Sequence, residues 1–230
     1  MPEGLETPVV VDFPLRGENW VAVTTPVARV PSHGVDILGQ RYAYDFVKVD
    51  ERPGVHVHPA SAWVTSTIGG RTADCYAWGA EICAPFDAEV VTAVDGIAER
   101  GWVNPFREAA RGIWNGLTFR PGKIAAILGN HVILRAGGVY AGFAHLAPGT
   151  VAVQPGERMP VGGVLGRVGH TGNSTSPHLH FQLMDSADLM AAKGIACAFR
   201  AYDVRADGGW SRVESGFPGP RERLRSVDDA

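Results

Sequence analysis

Two histidines alternate with large apolar residues in the stretch 176–183, which reads Ser-Pro-His-Leu-His-Phe-Gln-Leu. Successive side chains of an extended strand point to opposite faces of a sheet. His178, His180 and Gln182 are therefore expected on one face, with the apolar residues between them facing a core. Two neighbouring imidazoles can divide metal binding from the chemistry beside it, because a catalytic zinc site uses three protein ligands and leaves one position open. The rest of the chain must then supply two more ligands.

One acidic residue, Asp45, lies in an apolar stretch, residues 42–47, whose alternation is typical of a β-strand. A buried carboxylate costs free energy unless it is paired or coordinates a metal. The alternative is an acid at a strand end that accepts hydrogen bonds from the backbone. Asp45 is therefore a residue whose place in a strand needs an explanation, and metal binding is one.

The composition indicates a single β-rich domain. The chain has 230 residues, of which 45% are hydrophobic, enough for one substantial core. Its 29 glycines and 16 prolines often separate short apolar runs, which favours a mainly β fold of antiparallel sheets and meanders with a few short helices. The net charge of −3 comes without long basic runs, so the overall pattern is not that of a nucleic-acid or anionic-membrane binder.

The sequence divides into three parts. Residues 1–30 are predicted to form N-terminal strands that pack on the domain, residues 31–205 the domain itself, and residues 206–230 a C-terminal tail that is charged and frayed from Ser215 onward. Residues 50–80 have weak periodicity and many turn formers, which predicts an insertion that runs over the surface.

Local patterns predict further elements. Residues 104–114 are expected to form a short helix, and residues 185–193 another. His56 and His58 lie in the predicted insertion and are interpreted as exposed loop histidines, because neighbouring prolines leave no room for a central strand. Glycine- and proline-containing turns separate predicted meander strands at 124–128, 131–135, 139–146, 151–153 and 163–168.

The cysteines and the N-terminus bear on the compartment. Cys75, Cys83 and Cys197 do not make a disulfide framework, and we favour packed free thiols, although Cys75 and Cys83 can pair if the chain is exported. The N-terminus lacks the apolar core of a signal peptide, and no apolar run approaches a membrane span. We therefore expect a protein without a membrane span that is cytoplasmic, or exported with its leader removed.

The motifs together resemble a known family, the lysostaphin-like and LytM-like zinc endopeptidases that cut peptide bonds in bacterial cell walls. Residues 166–181 are similar to the family's glycine-rich turn and His-x-His strand. Residues 143–146, Phe-Ala-His-Leu, are similar to its Tyr-Ala-His-Leu segment with Phe in place of Tyr, and residues 84–96 look like one of its hairpins. The resemblance extends over residues 33–184 with a gap at the insertion, and implies the family's β fold.

The resemblance implies a zinc ligand set. In the family a histidine and an aspartate from an early motif and the second histidine of His-x-His hold the metal, which here implies His33, Asp45 and His180. The family usually places three residues between its early ligands, whereas eleven separate His33 from Asp45. Asp36 is nearer, with two residues between, and is kept as the alternative. Asp45 is favoured because residues 43–47 look like the family's apolar strand around its ligand.

The resemblance also implies a mechanism and a partner. Zinc polarises a peptide carbonyl and lowers the pKa of bound water toward about 7. His145 and His178 are expected to serve as general base and as stabiliser of the tetrahedral intermediate, and the sequence leaves open which does which. The expected partner is a peptidoglycan peptide, which the enzyme cleaves. The enzyme is expected to be a monomer and to bind no nucleic acid.

Four further residues have expected positions or roles near the site. His131 is a candidate for lining the groove or orienting a ligand, His170 is expected to be a loop residue, and Asn130 and Asn173 are candidates for binding substrate amides.

A non-catalytic cell-wall-binding or hydrolase-activating module of the same fold is the main alternative function, supported by the unusual spacing between His33 and Asp45. A lipoyl-type carrier lacks its lysine at a hairpin tip, and a serine hydrolase lacks its Gly-x-Ser-x-Gly motif.

Overall fold

Short β-strands dominate the described part of the chain, as the sequence predicted. The structure, a computed structural model, describes residues 7–118, 120, 122, 124–206 and 208–227. Its strands are β1 (Val9–Val11), β2 (Trp20–Thr24), β3 (Tyr44–Lys48), β4 (Gly70–Arg71), β5 (Glu81–Cys83), β6 (Ala88–Val94), β7 (Trp102–Val103), β8 (Asn130–Ala136), β9 (Val139–Leu146), β10 (Arg158–Met159), β11 (Val164–Arg167), β12 (Leu179–Met184), β13 (Gly194–Ile195), β14 (Cys197–Ala206), β15 (Gly209–Gly216) and β16 (Arg223–Arg225).

Most of these strands join one long sheet. Within the described residues twelve strands pair in the order β1-β14-β16-β2-β3-β12-β9-β8-β6-β10, with β13 on β12 and β15 on β14. Pairing is antiparallel except between β1 and β14, which are parallel. The pairs β11-β5 and β4-β7 form two small separate sheets. The predicted mainly β, antiparallel fold is confirmed.

The register of three neighbouring strands places the candidate site. On β12, His180 lies opposite Asp45 of β3 on one side and opposite Ala144 of β9 on the other. His145 follows Ala144 directly along the chain. Strand pairing therefore brings residues from three distant segments to one place on the sheet.

The other face of β12 packs into the core. Phe181 is fully buried, with its ring centroid 5.3 Å from that of Phe143 and 5.8 Å from that of Phe199. Buried aromatic pairs of this kind contribute about 0.5–1.5 kcal/mol beyond the area that they bury. The alternation read from the sequence therefore holds β12 by its apolar face and leaves the polar face for the site.

The helices lie outside the long sheet. They are α1 (Ala62–Thr67), α2 (Pro105–Leu117) and α3 (Ile124–Leu128), with a 3₁₀ turn at Thr72–Asp74. The Asn104 side chain caps α2 by accepting hydrogen bonds from the Phe106 and Arg107 amides, and Pro105 occupies the first turn. The helix predicted at 104–114 is confirmed and runs slightly further. The predicted surface insertion, residues 50–80, contains α1, β4 and the 3₁₀ turn.

Three local predictions are wrong. Residues 151–153 were expected to be a strand and have no regular secondary structure. Residues 124–128 were expected to be a strand and form α3, whose last turn continues to Gly129, where the amide donates to the Ala125 carbonyl at 2.9 Å. A short apolar run has no period long enough to separate strand from helix. Residues 185–193 were expected to form a helix and instead make turns before β13.

The predicted tail contains two strands, β15 at residues 209–216 and β16 at residues 223–225, which pair with β14. The expectation of a frayed segment from Ser215 onward is wrong for β16. Leu224 of β16 is fully buried, and Arg225 reaches Asp203 of β14 at 2.6 Å. The many charges in this segment hid a short strand alternation. Their ion pairs lie along the sheet.

Cys75 is a buried free thiol rather than half of a disulfide with Cys83, and burial raises its pKa to about 12. Among the described residues no helix is long and apolar enough to cross a bilayer.

Candidate metal centre and active site

Three of the residues predicted from the sequence meet on the polar face of β12. His33, Asp45 and His180 each place a potential ligand atom within 4.8 Å of the others. The two carboxylate oxygens of Asp45 face different imidazoles: Oδ2 lies 2.9 Å from His33 Nε2, and Oδ1 lies 2.9 Å from His180 Nδ1. The structure thus brings together two imidazoles and one carboxylate, a donor set that suits zinc.

A closed loop explains how His33 reaches Asp45 across eleven intervening residues. The Ser32 amide donates to the Arg41 carbonyl at 2.9 Å, which joins the two ends of the loop. The Ser32 hydroxyl lies 3.1 Å from His33 Nδ1 and 3.2 Å from the Gln40 carbonyl oxygen, so it holds the ring while Nε2 faces Asp45. The long spacing is therefore compatible with a ligand role for His33.

The alternative acid, Asp36, lies apart from this cluster. Its Oδ2 accepts a hydrogen bond from Arg41 at 2.6 Å, and its side chain is half exposed. Of the two carboxylates considered from the sequence, Asp45 is the one that faces His33 and His180.

The charge of Asp45 makes the cluster suitable for a cation. Burial alone would raise the pKa of this carboxyl, but the charges of His33 and His178 and the hydrogen bonds from His180 and His33 hold its pKa well below the usual range. The carboxylate is therefore ionised at neutral pH. A partly buried, ionised carboxylate needs positive partners, and a divalent metal between these side chains would provide one.

Gln182 fixes the tautomer of His180. Its Nε2 donates to the Leu38 carbonyl at 2.8 Å, which turns its Oε1 toward His180 Nε2 at 2.9 Å. The Nε2–H of His180 donates to that oxygen and its Nδ1–H donates to Asp45 Oδ1, so Nδ1 is the nitrogen that would give up its proton to bind a metal. The sequence placed Gln182 on this face without giving it a role. Its position two residues after His180 was the available signal.

His145 and His178 stand beside the cluster as a pair. Their ring centroids are 4.7 Å apart, and His178 Nε2 lies 3.6 Å from Asp45 Oδ1. Each Nδ1 faces a backbone carbonyl, that of Thr171 at 2.9 Å for His145 and that of Ser176 at 2.7 Å for His178. Each Nδ1 therefore carries a proton and each Nε2 keeps a lone pair that can accept one.

Burial keeps both imidazoles neutral. Burial is the largest influence on either ring, and it lowers the pKa of His145, together with the charges of His178 and His180, well below the ordinary value. Burial also lowers the pKa of His178, although Asp45 opposes the shift. Neutral imidazoles are the form in which a histidine acts as a base.

The backbone at His145 is strained. Its φ of +68° lies in the left-handed region that residues with a side chain rarely adopt. The Gly169 amide donates to the His145 carbonyl at 3.0 Å, and a Cβ on Gly169 would lie 2.3 Å from the Ala147 nitrogen. The glycine-rich turn is therefore packed directly against the strand end that aims the His145 ring.

A groove of about 510 Å³ gives access to these side chains. One wall carries the two histidine pairs and Asp45, and the other is made by Gly112 and Gly116 of α2 and Leu128 of α3. Asn115 of α2 donates a hydrogen bond to Asn173 of the glycine-rich turn, which ties the helix to the groove. The residues that line the groove are His33, Val35, Leu38, Gln40, Asp45, Gly112, Gly116, Ile127, Leu128, His145, Asn173, Thr175, His178, His180 and Gln182.

The remaining histidines lie elsewhere. His131 is buried on β8, its Nδ1 lies 2.8 Å from the Gly129 carbonyl oxygen, and it lines a small cavity together with His180 and Gln182 rather than the groove. His170 is fully buried beside Arg100 and Ser174. The interpretation of His58 as exposed is wrong, because its ring is buried over the backbone of Gly70.

The two asparagines considered for substrate binding have partners within the protein. Asn130 is buried, and its side chain bonds the Ile97 backbone and the Leu146 carbonyl. Asn173 lines the groove but accepts its hydrogen bond from Asn115. The sequence gave no indication of either contact, because both partners are distant along the chain.

Comparison with known proteins agrees with the resemblance read from the sequence. A family model described as Peptidase family M23 matches residues 110–192, less than half of the chain. The matched segment contains His145, His178 and His180, whereas His33 and Asp45 precede it. The resemblance to the lysostaphin-like and LytM-like peptidases is confirmed over this segment. The search of curated proteins finds no match.

Solved structures give weaker likenesses. A putative M23 peptidase from Pseudomonas aeruginosa is 24% identical, with 52% of this chain and 37% of that chain covered and a TM-score of 0.33. The catalytic domain of lysostaphin from Staphylococcus simulans is 20% identical, with 54% and 79% covered and a TM-score of 0.31. A zinc-containing peptidase from Vibrio cholerae is 18% identical, with 76% and 35% covered and a TM-score of 0.34. The chain covers about a third of the length of the Pseudomonas and Vibrio proteins, and likenesses this distant support no statement about activity.

Proposed function

We propose that the protein is a zinc-dependent endopeptidase that hydrolyses peptide bonds in peptidoglycan cross-links or stem peptides. The observation that carries the proposal is the meeting of His33, Asp45 and His180 with His145 and His178 in one groove. An ionised carboxylate with two imidazoles lies beside two further imidazoles that burial keeps neutral. Such a division suits metal binding on one side and proton transfer on the other.

The residues present fit a zinc ion. His33 Nε2, one Asp45 oxygen and His180 Nδ1 would hold it, with the Ser32 hydroxyl and the Gln182 amide orienting the two rings. When bound, zinc polarises the peptide carbonyl and lowers the pKa of water toward about 7. A donor set of two imidazoles and one carboxylate leaves a net positive charge for this purpose.

The other two histidines handle protons. The Nε2 lone pair of one ring, His145 or His178, would accept the proton of the attacking water and pass it to the leaving amine nitrogen as the C–N bond breaks. The other ring, with a proton taken from solvent at its Nε2, would stabilise the negative charge that develops on the carbonyl oxygen. The Thr171 and Ser176 carbonyls keep the Nδ1–H of each ring in place throughout. The strained backbone at His145 and the packed glycine-rich turn fix the direction of that ring.

The proposed substrate is an extended peptide of the cell wall. The groove is open along one side, and the match to Peptidase family M23 covers the strand and the turn that form its floor. We further propose that the protein acts as a monomer. We also propose that it acts without nucleic acid, since its net charge of −3 comes without a long basic run.

The competing function is a non-catalytic wall-binding or hydrolase-activating module of the same fold. Its main support was the long interval between His33 and Asp45. The loop joined by the Ser32 amide and the Arg41 carbonyl spans that interval and still presents His33 to Asp45. This removes the specific reason to prefer the module.

The test pairs metal analysis with digestion of purified peptidoglycan. Wild type should contain zinc and release peptide fragments, and His178→Ala should keep zinc while losing at least about a hundredfold in rate, the usual contribution of a positioned acid or base. His56→Ala is the matched control, because its ring contacts only the Pro53 carbonyl in an exposed loop. A wild type without zinc and without released fragments refutes the proposal, and a His178→Ala variant that digests normally refutes the role of His178.

A further inference from the structure

Helix α2 has its polar face turned inward and its apolar face turned outward. Glu108, Gly112 and Asn115 form the side that faces the body of the protein. Glu108 is buried against Arg100 at 2.9 Å, and Asn115 bonds Asn173. A surface helix of a soluble protein normally buries its apolar stripe. In α2, within the described residues, the apolar stripe is exposed instead.

The outward stripe continues onto neighbouring elements. Phe106, Ile113 and Leu117 follow one another along α2 at helical spacing, with Trp114 beside them. Helix α1 and strand β7 add further large side chains, and Asn104, which caps α2, also donates to the Ser66 carbonyl of α1 at 3.1 Å. The α2 surface consists of residues that are each 57–80% exposed: Trp63, Ile68, Trp102, Phe106, Ile113, Trp114 and Leu117.

Arginines border this surface. Arg107 and Arg111 line an open cleft of about 580 Å³ together with Ile68 and Trp102. Arg71 lies opposite Trp102 in the β4-β7 pair and is exposed. The acid on α2, Glu108, is buried and already paired. The exposed charges of α1, β4, β7 and α2 are therefore all positive, on a chain whose net charge is −3.

We propose that the α2 surface docks on an anionic lipid bilayer. Tryptophan, phenylalanine and aliphatic side chains flanked by arginines are the composition of a helix that lies in the membrane interface. Arginine side chains near an anionic membrane are attracted to it electrostatically. Three such side chains, those of Arg71, Arg107 and Arg111, border the α2 surface. The charge complementarity is the reason to choose this occupant.

Two other occupants fit less well. In a symmetric dimer the surface would meet its own copy, so Arg107 and Arg111 would face arginines without an acid to pair them. A glycan strand can stack on indole rings, but Ile68, Ile113 and Leu117 offer a sugar neither a planar face nor a hydrogen bond. A bilayer accepts the aromatic and the aliphatic side chains alike.

Docking would place the groove near the bilayer. The opposite side of α2 carries Gly112 and Gly116, which line the groove that holds the candidate active site. The helix thus stands between the proposed membrane surface and the groove. The docking proposal does not depend on the proposed peptidase activity, because it concerns the outer face of the helix alone.

The experiment measures sedimentation of the full chain with vesicles of phosphatidylcholine alone and of phosphatidylcholine mixed with phosphatidylglycerol. Wild type should sediment with the mixed vesicles, its tryptophan emission should shift to the blue, and added salt should weaken the binding. The variant Ile113→Ser/Leu117→Ser should lose at least about tenfold in affinity. Arg107→Gln/Arg111→Gln should lose about tenfold for mixed vesicles. Val161→Ser, an exposed apolar position outside the surface, is the matched control and should bind like wild type.

Three results would overturn the proposal. One is a wild type that binds neither vesicle. The second is an Ile113→Ser/Leu117→Ser variant that binds as well as wild type. The third is a different occupant. In that case the wild type binds no vesicles but is dimeric by sedimentation velocity or is retained on purified peptidoglycan, and the Ile113→Ser/Leu117→Ser variant loses the dimerisation or the retention. Since all three variants change exposed side chains, thermal unfolding should be little changed and serves as the folding check.

Discussion

Gln182 decides which nitrogen of His180 is available to a metal. It is buried between the His180 ring and the Leu38 carbonyl, 2.9 Å from His180 Nε2 and 2.8 Å from Leu38 O. Partners of this kind orient a ligand and raise its basicity. The polar face of β12 therefore acts through this amide as well as through its histidines.

Gln182→Leu is expected to weaken zinc binding by about 10- to 100-fold, because the His180 ring loses the acceptor that fixes its tautomer. Competition with a chromophoric chelator measures the affinity. Gln154→Leu, at an exposed position far from the groove, is the control. An unchanged affinity in a folded Gln182→Leu protein would contradict the assignment of Nδ1 as the ligand atom.

His170 should make stability depend on pH. Burial, and next the charge of Arg100, lowers its pKa from 6.5 to about 3. The unfolded chain therefore binds a proton at this residue below about pH 6.5 while the folded chain does not. The contribution is complete above pH 6.5 and is lost as the pH falls toward 3.

Urea unfolding at pH 7.5 and pH 5 tests this expectation. The wild type should lose about 2 kcal/mol more than His170→Gln between the two values, since one pKa unit corresponds to about 1.4 kcal/mol. Comparing two proteins at the same pH cancels the other histidines and the carboxylates. Equal losses in the two proteins would show that His170 titrates normally in the folded state.

At the scale of single residues, the sequence predicted the features that depend on local periodicity. The shared face of His178 and His180 follows from the two-residue repeat of a strand. The proximity of His33 to Asp45 depends instead on a loop closed by the Ser32 amide. The spacing alone argued against these two residues as a ligand pair, and the family resemblance is what predicted them. The burial of His58 and His170 depends on distant segments that no local pattern describes.

At the scale of elements, Arg100 joins α2 to the glycine-rich turn. Its Nε lies 2.9 Å from Glu108 of α2, and its terminal nitrogens donate to the Gly172 and Ser174 carbonyls at 2.9 and 2.8 Å. The Ser174 hydroxyl in turn lies 3.2 Å from His178 Nδ1. One guanidinium thus connects the helix, the turn and a candidate catalytic histidine.

Arg100→Leu should destabilise the protein by about 3–5 kcal/mol, because it leaves Glu108 buried without its main partner. The double variant Arg100→Leu/Glu108→Leu should recover much of that loss, since it removes the uncompensated charge as well. Urea unfolding of wild type, both single variants and the double variant gives the coupling energy. Additive effects of the two substitutions would mean that the ion pair does not hold α2.

Helix α3 shows where prediction of elements stops. Residues 124–128, Ile-Ala-Ala-Ile-Leu, have no polar residue to reveal a period, and the neighbouring hairpins favoured a strand. Packing decided otherwise, because Ile127 and Leu128 form the wall of the groove opposite the histidines. Longer elements with clear caps or turns, such as α2 and β9, were predicted from the sequence.

At the scale of the whole molecule, two faces of the chain carry separate proposals. The long sheet gathers the candidate ligands from three segments, and α2 lies over their groove with its apolar face outward. The net charge of −3 gave no sign of the α2 surface, because Arg71, Arg107 and Arg111 are few and come from separate segments. Only the folded chain brings them to the border of one surface.

The central claim is that folding of the entire chain creates a zinc site from His33, Asp45 and His180. The most direct measurement compares Asp45→Asn with Asp36→Asn for zinc content after dialysis, and for the rise in thermal midpoint on adding zinc. Asp36→Asn should retain about one zinc per chain and the stabilisation by zinc, and Asp45→Asn should lose both. Zinc retained by Asp45→Asn, or lost by Asp36→Asn, would contradict the assignment of the metal centre.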